Sequence, residues 1–149
     1  MTRFQFPLER VLEWRRTQLE LEEAKFQQRA AELAAVDRAR AELDAGAHYA
    51  ELQVRRWDGV AGRDLRALGE FRLHVRAESS RLGQRRAECA KALAAQQAEM
   101  LETRRRCRLL ERLKERRLAE WKTAADREIE EIASESYLAQ WGSAARRTL

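Results

Sequence analysis

The chain has 149 residues and a mass of 17.4 kDa, which suits one ordinary domain and leaves little room for two. Charged residues make up 37% of it, against about 25% in a typical globular domain, with one proline and six glycines. So few turn-forming residues exclude most compact folds built from many short elements. The 30 basic and 25 acidic residues nearly cancel to a net +5, so the charge mainly solvates the chain; only four of the basic residues are lysines.

The first twenty residues contain no apolar run of signal-peptide length, and no window approaches the ~20 apolar residues of a membrane span, so a cytoplasmic protein is expected. Cys89 and Cys107 stand 18 residues apart, five turns of a helix at 3.6 residues per turn. That spacing puts both on one helix face and, at a rise of ~27 Å, forbids a disulfide between them. Two small buried side chains are expected there.

The first element is a helix over about residues 7–56. Pro7 suits a first helical turn and drives Gln5-Phe6 toward an extended conformation. Leu12, Leu19, Phe26 and Leu33 recur every seven residues, followed by Val36, Leu43, Ala50 and Trp57 at the same interval. These are the a and d positions of a heptad seam. Arg15, Glu22 and Arg29 occupy d positions and make its first half polar. Trp14 and Tyr49 both fall at position c, which faces solvent.

Residues 57–63, with Asp58-Gly59 and Gly62, form the expected reversal. Asp64 is the expected N-cap of a second helix running to about residue 141, where Gly142 is its expected stop. Leu68, Val75, Leu82 and Cys89 continue the sevenfold spacing. Farther on, Cys107, Leu118 and Ile129 are eleven apart, as are Leu110, Trp121 and Ile132. That period of 3.67 residues per turn describes a nearly straight helix. Fold class follows: all-α, an antiparallel two-helix coiled-coil hairpin whose second helix is longer, ~117 Å against ~75 Å. Folding about the reversal pairs position i with about 121 − i, so Leu8 lies near Leu113. The far part of helix two, with Leu118, Trp121, Ile129 and Ile132, then overhangs helix one and needs a partner. Phe71 and Val75, just past the bend, are expected to join Tyr49 in one patch.

No phosphate-cradling glycine loop and no HExxH motif occurs in the sequence. His48 and His74 read as solvated side chains rather than metal ligands. The acidic run Asp126, Glu128, Glu130, Glu131 and Glu135 spreads around a helix and reads as a solvated face. A straight hairpin offers no concavity for a substrate, so neither an enzymatic activity, a cofactor nor a small-molecule substrate is expected. Arg104-Arg105-Arg106 with Arg108, Arg112, Lys114, Arg116 and Arg117 could meet phosphates. Glu102, Glu111 and Glu115 interleave with them and no aromatic stands among them, which favours an acidic protein surface over nucleic acid.

The opening Phe4-Gln5-Phe6-Pro7-Leu8-Glu9-Arg10-Val11-Leu12, followed by Arg15 and Arg16, resembles the N-terminal signature of the flagellar type III export protein FliJ family. Leu110-Glu111-Arg112-Leu113-Lys114-Glu115-Arg116-Arg117, with Glu130-Glu131-Ile132-Ala133 after it, resembles that family's C-terminal pattern. The resemblance implies a coiled coil similar to the central stalk of rotary ATPases. By the same resemblance, the paired termini engage a hexameric export ATPase, the region near the bend contacts the export gate membrane protein, and export chaperones are handled as well. Phe4, Phe6, Leu8, Arg10, Leu12, Trp14, Leu110, Leu113, Arg117 and Trp121 then belong to the ATPase-facing end, and Tyr49, Phe71 and Val75 to the gate-facing bend. The polar d positions at Arg15, Glu22 and Arg29 depart from a regular seam, as a face meeting a ring lumen does. A cytoplasmic, membrane-peripheral location follows from the same implication. The stalk protein of virulence-type secretion systems and a self-associating structural coiled coil are the alternatives.

Overall fold

The computed structural model describes residues 3–147. Thr148 and Leu149, the end of the expected C-terminal tail, lie outside them. Among the described residues there are two helices, α1 (Glu9–Val54, 46 residues) and the longer α2 (Gly62–Arg147, 86 residues), and no strand. They pack against each other antiparallel, as a helical hairpin.

Both ends of α1 are set by local hydrogen bonds. The Glu9 amide donates to the Phe6 carbonyl at 3.1 Å, closing a turn with Pro7 at its second position, where a fixed φ is favoured. The Leu12 amide donates to the Leu8 carbonyl at 2.9 Å, so Leu8 is the N-cap and the helix starts two residues after Pro7. At the other end, Arg56 and Trp57 donate to the carbonyls three residues back, tightening the last turn before the chain leaves the helix. Trp57, the last residue of the sevenfold series and the first of the expected reversal, therefore sits in the connection and is 46% exposed.

The start of α2 differs from the sequence reading. The Ala61 carbonyl accepts from Asp64 and Leu65, so Ala61 is the cap and Asp64 stands in the first turn, where its negative charge suits the helix dipole. At the far end α2 runs through Gly142 to Arg147. A single glycine costs about 1 kcal/mol relative to alanine, which one helical position absorbs without stopping.

The chain divides into two packed units: residues 18–103, and residues 3–17 together with 104–147. In the first, α1 supplies Leu19, Phe26, Leu33, Val36 and Leu43, all half-buried, and α2 supplies the buried Leu82, Cys89 and Met100. The seam is thus the one its sevenfold spacing predicts. Glu51 binds Arg72 through two hydrogen bonds of 2.6 and 2.7 Å, and Asp37 binds Arg86 at 2.6 Å. In both pairs the residue numbers add to 123, two more than the register expected from the sequence. In the second unit Glu9 and Lys114, 2.7 Å apart, keep the same total.

Candidate functional site

The unit of residues 3–17 and 104–147 is built, among the described residues, on three buried side chains, Phe6, Leu12 and Cys107, with Leu12 fully covered. Leu12 is an a residue of α1 and Cys107 belongs to the inward stripe of α2, so the heptad and hendecad patterns meet here. Lys114 bridges to Glu9 across the helices, and Arg16 to Glu111 at 3.3 Å. Around Cys107, burial raises the thiol pKa first and the negative Glu111 carboxylate adds to it, while Arg16 acts in the opposite direction. The thiol stays protonated at neutral pH, which suits a packing residue rather than a nucleophile. Cys89 is buried as well, and both cysteines are free.

Ahead of α1, residues 3–6 are non-helical and lie along α2. The Phe4 ring meets the Trp121 indole with centroids 6.1 Å apart and planes tilted by 57°, a favourable aromatic geometry. Trp121 is consequently half-buried inside this unit and is not part of an overhang. Leu118 is half-buried too. The exposed stretch begins later: residues 126–141 are all solvent-facing, with Ile129 at 52%, Ile132 at 57% and Trp141 at 71% exposure. The overhang is real but starts several residues beyond its expected position, because the extended N-terminal segment covers more of α2 than a helix beginning at Pro7.

This divides the residues assigned to the ATPase-facing end. Phe6 and Leu12 are core, Phe4, Leu110, Leu113 and Trp121 are half-buried, and Leu8, Arg10, Trp14 and Arg117 are on the surface. The Arg15 guanidinium lies 4.8 Å from the Trp14 ring centroid, holding that indole against α1 while leaving it exposed. An open cleft of about 790 Å³ lies at the start of the chain's described residues, bounded by Phe4, Phe6, Arg3, Arg10 and Lys114. Its surplus of cations over the single Glu9 makes it receptive to a carboxylate-bearing surface.

Near the bend, Phe71 and Val75 line a groove of about 560 Å³ with Ala47 and the bonded pair Glu51 and Arg72. Ser79 and Ser80 also border it, but no histidine does. Tyr49, 64% exposed, does not line the groove. Two residues after Ala47 it points roughly 200° around α1, so the expected single patch of Tyr49 with Phe71 and Val75 is not formed. Both grooves are open to solvent along the hairpin's side. His48 and His74 are exposed, and among the described residues no group of three or more His, Cys, Asp or Glu is placed to hold a metal ion.

The polar d positions have partners within the chain. The Gln96 amide donates to both the Glu22 carboxylate and the Glu22 carbonyl, and Lys25 donates to the same carboxylate at 3.0 Å. Lys25 first, then Gln96, hold the Glu22 carboxyl below its ordinary range. Arg29 pairs with Glu32 at 3.1 Å and Arg15 stacks on Trp14. Gln96 stands seven residues after Cys89 and continues the same stripe, a spacing that marks it as a seam position although its side chain is polar. Among the described residues no helix is long and apolar enough to cross a membrane. No family model, curated protein or solved structure matches the chain.

Proposed function

We propose that the protein is a non-enzymatic stalk of the flagellar type III export apparatus, which binds and stimulates the hexameric export ATPase and contacts the export gate and export chaperones. The observation that carries this reading is the end of α2. Ile129 and Ile132 prolong the inward apolar stripe beyond the last residues that the N-terminal segment covers, so an apolar edge is left for another protein to cover. A hairpin with one longer helix suits insertion into a ring, and the resemblance of residues 4–12 and 110–117 supports the choice of ring. Leu8, Arg10, Trp14 and Arg117 are the contact residues on this reading, whereas Phe6 and Leu12 hold the hairpin in shape. The groove with Phe71 and Val75 is the candidate gate-facing surface, and Tyr49 serves a separate face. A peripheral position at the inner face of the cell membrane belongs to the same proposal.

The test is ATPase turnover with and without the purified protein. Stimulation that saturates with added protein, and that falls when Leu8 and Arg10 are replaced by alanine, supports the stalk. Unchanged turnover at saturating protein overturns it.

A further inference from the structure

The face of α2 turned away from α1 carries a second pattern. At 100° per residue, Arg105, Arg108, Arg112 and Arg116 share a strip about 80° wide with Ala119, Thr123, Asp126 and Glu130. Tyr137 and Trp141 continue the strip, and every one of these residues is exposed. The strip therefore changes sign along its length. Residues 104–117 hold eight basic residues and two acidic ones, whereas residues 126–141 hold five acidic residues and one basic, Arg127. Ala119 and Thr123, small and uncharged, mark the boundary.

From this arrangement we infer that α2 pairs antiparallel with α2 of a second copy of the chain, about a two-fold axis level with residue 121. Position 121 is midway between Arg112 and Glu130, between Arg116 and Asp126, between Arg105 and Tyr137, and between Ala119 and Thr123. A two-fold axis there sets each of these residues opposite its complement, and each contact occurs twice, as isologous association requires. Arg105 meets Tyr137 of the second copy, with Trp141 one turn away, where a guanidinium and aromatic rings attract. Small side chains at the axis let the two helices approach closely. The parallel alternative sets Arg112 against Arg112 and Glu130 against Glu130, and pairing of the two acidic ends alone repels in the same way.

The eleven-residue recurrence of Arg108, Ala119, Glu130 and Trp141 keeps the strip on one side of a nearly straight helix, so neither copy must supercoil. Existing contacts do not oppose the pairing. α1 covers the opposite side of α2, and the ion pair of Arg116 with Glu120 is solvent-exposed on both partners, so it exchanges at little cost. The pairing uses a different side of α2 from Ile129 and Ile132 and does not depend on the stalk reading.

Sedimentation equilibrium of the full chain tests this. A monomer–dimer equilibrium that weakens as salt is raised is expected. Arg112→Glu alone and Glu130→Arg alone each create two like-charge contacts and should raise the dissociation constant about tenfold or more. The double variant Arg112→Glu/Glu130→Arg restores opposite charges and should return the constant close to the original. Unaltered helical circular dichroism separates loss of pairing from loss of fold, since both sites are exposed. A monomer at all concentrations leaves the strip to a different protein and overturns the inference, as does a double variant no tighter than the single ones.

Discussion

Leu82 and Leu138 are the same residue on the same helix, yet one is 7% exposed and the other 66%. Between them α2 changes from a strand of a two-helix seam to a helix with solvent on every side. Propensity is not the cause, because the distal stretch is as rich in helix-forming Ala, Glu and Leu as the proximal one. What differs is the cover supplied by the rest of the chain. Stability in this protein is therefore held where α1 and the N-terminal segment lie against α2, and the same apolar residues beyond that cover stay in solvent and add little to it.

The sharpest way to break the contrast is at its best-covered point. Leu12→Ala, at a fully buried site, should cost about 2–5 kcal/mol in urea unfolding, with Leu82→Ala within the same range. Trp121→Ala should cost about 2 kcal/mol, because a half-buried indole and its contact with Phe4 are lost. A loss below ~0.5 kcal/mol would return Trp121 to the exposed group.

Acidification gives a smaller effect. Arg72 holds the Glu51 carboxyl, and Lys25 with Gln96 the Glu22 carboxyl, below the usual 4.5. A carboxyl with a lowered folded-state pKa stabilises fully above its unfolded value, and that contribution disappears as pH falls through the folded value. The melting temperature should be flat near neutrality and decline below about pH 4.5, less steeply in high salt. Smallest of all, Leu138→Ala and Ile129→Ala should change the unfolding free energy by less than about 0.5 kcal/mol, as measured alongside Leu82→Ala.

Much of this was legible in the residue pattern. The sevenfold series Leu68, Val75, Leu82 and Cys89 and the pair Cys89 and Cys107 mark the inward face correctly, because periodicity depends only on helix geometry. The register was two residues out and the beginning of the overhang was misplaced, since both depend on where α1 starts and on how far an irregular segment reaches. Nothing in the spacing of Phe4 foretells its contact with Trp121, 117 positions away. Arg15, Glu22 and Arg29 read as a seam that pairs loosely or as a stripe turned elsewhere, because periodicity sees one helix at a time; Arg15 and Arg29 find partners on α1 itself, and only Glu22 reaches the other helix. The partner that satisfies Glu22 is Gln96, on the other helix. Distance from the bend places Tyr49 beside Phe71, but the angle around α1 separates them.

The cross-helix contacts also imply an order of assembly. Glu51 and Arg72 are 21 residues apart in the chain, whereas Glu9 and Lys114 are 105 apart. Closing the longer loop first costs about 1.4 kcal/mol more in chain entropy, so the pairing grows from the reversal outward. The Phe4–Trp121 contact then closes late and is the first to fray, so the terminal end of the pairing is held by the contacts that form last.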